Sequence, residues 1–224
     1  MAKRVWMGLV VSALMLAAGM GTAQAGNIVV NGGFETGDLS GWATNNIGTP
    51  TSTCAAGDRD WNVSSSSSTG CLPVESPVGG SYAAYVINDG TGPLDYTLTQ
   101  TIMDPLGLTS ALLSFQWTSN NSYDNGRMLN VLIDGVNVFS DSTFGSFGWT
   151  NETINVAGVL AAHEGQPITL EFDNYIPHTW TGPAGMGLDN VALNVTTTGV
   201  PEPSSVALFG VALAGLALAR RKMG

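Results

Sequence analysis

Short stretches in which apolar and polar residues alternate run through the middle of the chain, with turn-forming residues between them. Leu113, Phe115 and Trp117 fall on one face of an extended strand, because successive side chains of a strand point to opposite faces. Similar stretches predict strands at residues 28–30, 81–87, 94–103, 111–119, 128–133, 136–139, 149–156, 168–173 and 188–195. Between the two chain ends no stretch shows helical periodicity, so the pattern predicts an all-β body.

One connection has the sequence of a tight hairpin. Asp134-Gly135 separates the apolar runs at residues 131–133 and 136–138, and an Asp-Gly pair in that position is typical of a two-residue β-turn. Glycine and serine are abundant in the other connections. Because amphipathic strands bury their apolar faces by packing one sheet on another, we predict an antiparallel β-sandwich, specifically a jelly roll of about eight or nine strands.

The amino terminus has the organisation of a signal peptide. Lys3 and Arg4 precede an apolar run at residues 5–20, and Thr22-Ala23-Gln24-Ala25 has the small-x-small pattern that signal peptidase recognises. We therefore expect a signal helix in residues 1–25, with cleavage after Ala25. The chain that follows, as far as residue 199, has the length of one domain.

The carboxyl terminus has three parts in a fixed order. These are Pro201, Glu202 and Pro203, an uncharged apolar run at residues 204–219, and the basic residues Arg220, Arg221 and Lys222. The prolines cannot continue a strand or enter a helix interior, so this part predicts an extended hinge. The apolar run predicts a transmembrane helix of roughly 24 Å, against a hydrocarbon core of roughly 30 Å, with the basic residues on the cytoplasmic side.

This arrangement resembles the PEP-CTERM sorting signal of exported proteins from Gram-negative bacteria that make exopolysaccharide. The resemblance covers residues 200–224. It implies a precursor that is transiently anchored in the inner membrane and processed by the protease exosortase. The mature form is then expected outside the cell or at its surface.

Charge is distributed unevenly between the body and the two ends. Five of the seven basic residues lie in the terminal signals, which leaves Arg59 and Arg127 in the body. Sixteen of the seventeen acidic residues lie in the body, whose net charge is therefore −14. Such a field repels nucleic acid and anionic membranes and attracts divalent cations. We exclude nucleic acid as a partner.

Cys54 and Cys71 are the only cysteines, and they flank a polar segment. In an exported protein an even pair indicates a disulfide, which would add about 3 kcal/mol of stability for a loop of this length. A metal or redox pair is the alternative, but it lacks a nearby histidine and a short cysteine spacing.

Two segments at opposite ends of the body resemble the galactose-binding-like jelly rolls, which include many carbohydrate-binding modules. Residues 31–37 (NGGFETG), followed by residues 39–42 (LSGW), resemble the family's opening, and residues 187–193 (GLDNVAL) resemble its last strand. Residues 96–102 also fit the family's sheet pattern. The resemblance implies that the first and last strands lie close together, with a structural calcium ion between them.

Carried over to this chain, the resemblance assigns the calcium side-chain ligands to Glu35 and Asp189. Backbone carbonyls around Gly33 and Gly37 would complete the six to eight oxygens that calcium takes at about 2.3–2.6 Å. The alternative is that Glu35 caps a turn and that Asp189 binds backbone amides.

Aromatic residues in polar loops are candidate platforms for sugars, because the C–H faces of a pyranose stack on flat rings. The sequence predicts that Trp42 and Trp117 are core residues, and it leaves Trp149 open. The platform candidates are Trp61, Tyr123, Tyr175, His178 and Trp180.

No motif of a nucleophile, a metalloprotease or a carboxylate pair identifies an enzyme. We therefore expect a non-catalytic protein of the cell surface or extracellular matrix that weakly binds polysaccharide, such as exopolysaccharide. The alternative is a structural or adhesive matrix protein with a calcium-stabilised sandwich. A hydrolase, such as a glycoside hydrolase, is the third hypothesis.

Overall fold

The computed structural model describes residues 21–49, 60–65, 68–69, 72–88, 91–123, 126–177 and 182–199. Within these ranges the chain is almost entirely strand. The elements are β1 (Gly21–Asn27), β2 (Ala43–Thr49), β3 (Asn62–Ser64), β4 (Ser68–Thr69), β5 (Leu72–Pro73), β6 (Ala83–Asn88), β7 (Thr91–Met103), β8 (Leu108–Asn121), β9 (Met128–Ile133), β10 (Val136–Ser142), β11 (Gly145–Asn155), the short helix α1 (Ala157–Leu160), β12 (Pro167–Ile176) and β13 (Ala184–Gly199).

The strands form two antiparallel sheets and a small two-stranded ladder. The six-stranded sheet has the order β11-β8-β13-β6-β3, and β1 also pairs with β13. The five-stranded sheet has the order β10-β9-β12-β7-β2, and β4 pairs with β5. Apart from the β9–β10 hairpin, neighbours in the two large sheets come from separate parts of the sequence, and β13 near the end of the body lies between β8 and β6.

The core lies between the two sheets and follows the period of two. On β8 the alternate residues Leu113, Phe115 and Trp117 are buried, as the sequence predicts. Phe115 meets Phe172 of the five-stranded sheet edge-on, with ring centroids 5.2 Å apart. The prediction of an all-β antiparallel sandwich is confirmed.

The hairpin at Asp134-Gly135 also has the predicted geometry. Val136 pairs with Ile133 across it, so the loop contains two residues. Asp134 and Gly135 have φ values of 47° and 76°, and two consecutive positive values are typical of a type I′ turn.

The structure differs from the sequence prediction at the amino end of the body. The strand expected at residues 28–30 is absent, and β1 ends at Asn27. The Asn27 side chain is the reason, because its Oδ1 accepts the backbone N–H groups of both Val29 and Leu193 at 3.0 and 2.9 Å. The strands β2 to β5 have weak alternation and were not predicted.

The chain divides into two units. One unit comprises Ala25–Thr196, and the other comprises the chain ends, residues 1–24 and 197–224, of which only residues 21–24 and 197–199 are described. Ala25, the expected cleavage position, lies in β1. Residues 21–25 of the expected signal peptide lie in β1, whereas its apolar run, the expected transmembrane helix and the Cys54–Cys71 pair lie outside the described residues. Within the described ranges, no helix has the length and apolar character that a membrane span requires.

The opening segment after β1, residues 28–42, is a series of turns that packs against the last strand, β13. Gly32 O accepts the backbone N–H of Val191 at 2.9 Å. A Cβ atom on Gly32 would lie 1.9 Å from Val191 O, so only glycine fits. Phe34, with φ of 56°, places its ring in the core beside Trp42 at a centroid distance of 5.8 Å.

We predict that Gly32→Ala destabilises the protein by about 2–4 kcal/mol, because the backbone contact with Val191 must open. Urea unfolding of the full-length protein measures the change. Gly148→Ala is the matched control, since a Cβ there meets nothing within 4 Å, and it should change the free energy of unfolding by less than about 0.5 kcal/mol. Equal effects of the two substitutions would contradict the prediction.

Candidate functional site

The outward face of the five-stranded sheet carries a set of polar side chains that we call the polar face. On β7 the residues Leu94, Tyr96 and Leu98 are buried in the core, so the residues between them point outward. The same alternation holds on β12 and β9. The outward residues that define the polar face are Asn45, Asp95, Thr97, Asn130, Ser140, Glu171, Asp173 and Tyr175.

Strand register aligns five of these residues in one row across the whole sheet. Asn45 pairs with Thr97, Thr97 with Asp173, Asp173 with Asn130, and Asn130 with Ser140. Each of the five strands therefore contributes one polar residue to the row. A row of amide, hydroxyl and carboxylate groups offers both donors and acceptors to a ligand lying across the strands.

Hydrogen bonds order one half of the row. Asn130 Nδ2 donates to Asp173 Oδ2 at 3.1 Å, and Ser140 Oγ donates to Asn130 Oδ1 at 2.6 Å. In the described part of the chain, Asp173 Oδ1 has no hydrogen-bond partner, although Asp173 is only 9 % exposed. A buried acceptor without a partner is costly, so a donor that reached this oxygen would stabilise it. The atom is enclosed, so a donor reaches it only when neighbouring side chains move.

Three carboxylates lie close together on this face. Burial raises the pKa of Asp173 to about 7; the hydrogen bond from Asn130 opposes this shift, and the charges of Asp95 and Glu171 add to it. Burial also raises the pKa of Asp95, and burial together with the Asp95 charge raises the pKa of Glu171. Three acidic side chains are therefore concentrated on the polar face, and Asp173 is about half protonated at neutral pH.

The sequence predicted Tyr175 in a loop, but the structure places it on a strand beside this row. The strand predicted to end at Asp173 continues to Ile176, which is fully buried and holds this end of β12 in the sheet. Tyr175 pairs with Asp95 on one side and with Met128 on the other. The phenol ring consequently shares the outward face with the carboxylates.

Trp61 does not fit its expected role as an exposed platform. It is 2 % exposed, and its indole N–H donates to Tyr96 O at 2.9 Å. The polar sequence around it suggested a loop, but the ring fills a position in the main core. Trp42 and Trp117 are buried, as expected.

Tyr123 is 45 % exposed, in keeping with its prediction as a loop aromatic. Its ring lies over Gly182, where an added Cβ would come within 2.5 Å of Cζ. The backbone between β8 and β9 thus approaches the segment before β13. His178 and Trp180, the two other predicted platform residues, lie outside the described residues.

Trp149, which the sequence leaves open, packs on the outward side of the six-stranded sheet. Its indole N–H donates to Ser76 O at 2.7 Å, and its ring centroid lies 6.5 Å from that of Tyr85. Tyr85 Oη donates to Glu75 O at 2.7 Å. These two rings fasten the segment before β6 to the sheet, next to a polar groove of about 300 Å³.

Glu35 and Asp189, the predicted calcium ligands, lie near each other at the junction of the opening segment with β13. A Cβ on Gly33 would lie 3.8 Å from Glu35 Cγ and 3.9 Å from Asp189 Oδ1. The Glu35 carboxylate accepts the N–H groups of Ser81 and Tyr82 at 3.0–3.1 Å. We call this pair the acidic junction.

Asp189 is the more deeply buried member of the acidic junction, with 1 % exposure. Its two oxygens accept the N–H groups of Val78 and Asn190 at 3.1 and 2.7 Å. Burial raises the pKa of Asp189 to about 6, and the Glu35 charge adds to the rise, whereas the two backbone hydrogen bonds lower it. Among the described residues, no group of three or more His, Cys, Asp or Glu side chains could hold a metal ion.

Most of the polar face could not be predicted from the sequence. Asn45 lies on β2, which has too little apolar alternation to be recognised as a strand. The alternations Asp95-x-Thr97-x-Thr99 and Glu171-x-Asp173-x-Tyr175 are visible in the sequence and mark outward positions. Their union into one row depends on which strands pair, and sequence spacing alone does not reveal the pairing.

Residues 199–222 match the family model for the PEP-CTERM protein-sorting motif. The chain carries a PEP-CTERM sorting signal. This signal indicates an exported protein that is processed at the membrane by exosortase. It contains the predicted sorting residues Pro201, Glu202, Pro203, Arg220, Arg221 and Lys222, which lie outside the described part of the structure.

The body is similar to solved β-sandwich structures. The carbohydrate-binding module TmCBM61, in complex with β-1,4-galactotriose, matches 75 % of this chain and 97 % of its own, with 20 % identity and a TM-score of 0.50. A Stig cyclase from Fischerella sp. TAU matches 78 % of this chain and 100 % of its own, with 17 % identity and a TM-score of 0.51. At these identities the likeness concerns the fold. No curated protein matches the chain significantly.

We predict that Asp189 makes the metal-free protein less stable as pH rises. Its folded-state pKa of about 6 exceeds the ordinary 3.8, so the folded state favours the protonated acid. Stability from this group is therefore present below about pH 4 and is lost as pH rises through about 6, by about 3 kcal/mol in total.

Unfolding free energies of the wild type and Asp189→Asn, measured in chelator from pH 4 to pH 7, test this prediction. The difference between the two proteins should change by that amount with pH. Asp173, whose pKa is raised as well, contributes equally to both profiles and cancels. Parallel profiles would show that Asp189 has no raised pKa.

Proposed function

We propose that this exported protein is a non-catalytic surface or matrix protein that binds polysaccharide weakly through the polar face. The observation that carries the proposal is the continuous row from Asn45 to Ser140, with the unpartnered Asp173 Oδ1 at its centre. Sugar hydroxyls donate and accept hydrogen bonds in the same way as this row. The row is as wide as the sheet, which suits a chain of several sugar units.

The expected affinity is low because the polar face has little aromatic area. Tyr175 is the aromatic side chain that register places beside the row. Stacking on one ring contributes about 0.5–1.5 kcal/mol beyond area burial, so hydrogen bonds must supply most of the affinity. Repeated weak contacts along one polymer, or between a polymer and many copies of the protein, then raise the overall affinity through avidity.

The carboxylates of the polar face have a spacing that glycosidase pairs also have. Glu171 and Asp173 lie two residues apart on the same strand and the same face, which is roughly 6.5–7 Å along the strand, with Asp95 on the neighbouring strand. Binding is proposed ahead of hydrolysis because no sequence motif of a nucleophile or a metalloprotease identifies an enzyme. The similar folds include a carbohydrate-binding module and a cyclase.

We also propose a structural calcium ion at the acidic junction, which is compatible with the alternative role as a matrix protein. The space beside Gly33 is bounded by Glu35 Cγ and Asp189 Oδ1, and burial raises the pKa of Asp189 in the absence of a cation. Bound calcium would supply the positive charge that these two groups lack. Backbone carbonyls would have to provide the remaining ligands.

Calcium is expected to raise the melting temperature of the full-length protein. At a hundredfold excess over its dissociation constant the ion adds about 2.7 kcal/mol, which is a few degrees for a domain of this size. Asp189→Ala and Glu35→Gln should each remove most of the shift. Asp141→Ala, which removes an exposed carboxylate from β10, should retain it. A melt that is indifferent to calcium, or equal loss in all three variants, would exclude the site.

Binding through the polar face predicts that Tyr175→Ala and Asn130→Ala each weaken the retardation of the protein in gels containing a neutral polysaccharide by about five- to tenfold. β-1,4-Galactan is the first probe, because the similar module binds a β-1,4-galactotriose. Tyr123→Ala is the control, since Tyr123 packs over Gly182 and not on the polar face. Loss of binding only in Tyr123→Ala would move the site to that loop and refute the polar face.

A further inference from the structure

The charges of the polar face have a consequence for the kind of polysaccharide that it accepts. We propose that this face selects neutral glycan chains and rejects chains that carry carboxylate or sulfate groups. This inference rests on the proposed function, and it names the ligand class of the same site.

The first observation is the grouping of acidic side chains around the row. Asp173 lies in the row, Glu171 precedes it by two residues on β12, and Asp95 lies on the neighbouring strand opposite Tyr175. Their mutual repulsion contributes to the raised pKa of Asp173 and of Glu171. An anionic sugar placed across the row would meet the same repulsion.

The second observation is the lack of compensating positive charge. The body contains two basic residues, Arg59 and Arg127, and no lysine. Arg127 is 1 % exposed, and its guanidinium donates to Gly182 O. Among the described outward residues of the five-stranded sheet there is accordingly no lysine or arginine to pair with a uronate or a sulfate.

The third observation is the type of hydrogen bond that the row requires. Asp173 Oδ1 is buried and lacks a donor in the described structure, and Asn130 Oδ1 already accepts the Ser140 hydroxyl. The half-buried carboxyl groups of Asp95 and Glu171 are the acceptors that a ligand on this face can reach. A neutral sugar hydroxyl can donate to them, whereas a deprotonated acid group can only add a further acceptor.

Asp95 and Glu171 supply a test of charge that leaves Asp173 in place. Asp95→Asn/Glu171→Gln removes two negative charges from the face while keeping the size of both side chains. The variant should fold, because burial disfavours the ionised form of both acids and the Asp95 charge adds to this effect at Glu171. Glu75→Gln/Glu164→Gln is the matched control, since it removes two exposed charges from segments outside the five-stranded sheet.

The experiment first measures binding of the full-length protein, in chelator and at low salt, to a panel of neutral polysaccharides that includes β-1,4-galactan. The best ligand is then compared with the same polymer after partial carboxymethylation, which adds charge to an unchanged backbone. We expect the charged polymer to bind at least tenfold more weakly than the neutral one, and this ratio of affinities should decrease as salt screens the repulsion. Asp95→Asn/Glu171→Gln should decrease the ratio severalfold, and the control double variant should leave it unchanged.

Each outcome separates the two proposals. Equal binding of neutral and charged polymers would leave the proposed function standing and overturn the selectivity. A ratio of affinities that changes neither with salt nor in Asp95→Asn/Glu171→Gln would also overturn the selectivity, because the discrimination would then be steric. Failure of every neutral polymer to bind would overturn the proposed function, and the selectivity with it.

Discussion

The close backbone approach between the opening segment and the last strand is the constraint on which the structure depends. Gly32 O accepts the Val191 N–H and Asn27 Oδ1 accepts the Leu193 N–H, so both ends of the body meet within a few ångströms. The Gln100 amide extends this junction to the other sheet, because it accepts the Val30 N–H and donates to Val30 O. One short segment thus connects the last strand of one sheet with a central strand of the other.

This closure sets the register that makes the polar face. β7 carries Gln100 on its inward side and Thr97 and Asp95 on its outward side, so a register slip of one residue would exchange the two sets. Because Gln100 is held by Val30, the polar residues of β7 are fixed outward. β12 then follows by pairing with β7, and its acids join the same face.

Two carboxyl groups are buried at a cost in free energy, and both belong to the candidate sites. Burial raises the pKa of Asp189 at the acidic junction and of Asp173 on the polar face. Apolar residues at these positions would avoid the cost of desolvating a carboxylate. The two carboxyl groups differ in their hydrogen bonds. Asp189 accepts two backbone N–H groups, whereas one oxygen of Asp173 has no partner in the described structure. Both oxygens of Asp189 therefore have partners, whereas Asp173 retains one unsatisfied acceptor.

The sequence by itself determined the class of the fold, the Asp134-Gly135 hairpin and the sorting signal, because each depends on residues that are close together in the chain. It also determined the charge of the body, from which we predict that nucleic acid is not a partner. Only the tertiary structure decided that Trp61 is a core residue, that Tyr175 lies on a strand, and that Asn45, Thr97, Asp173, Asn130 and Ser140 form one row. The physical reason is that burial and cross-strand register are set by pairing between distant segments, which local alternation does not specify.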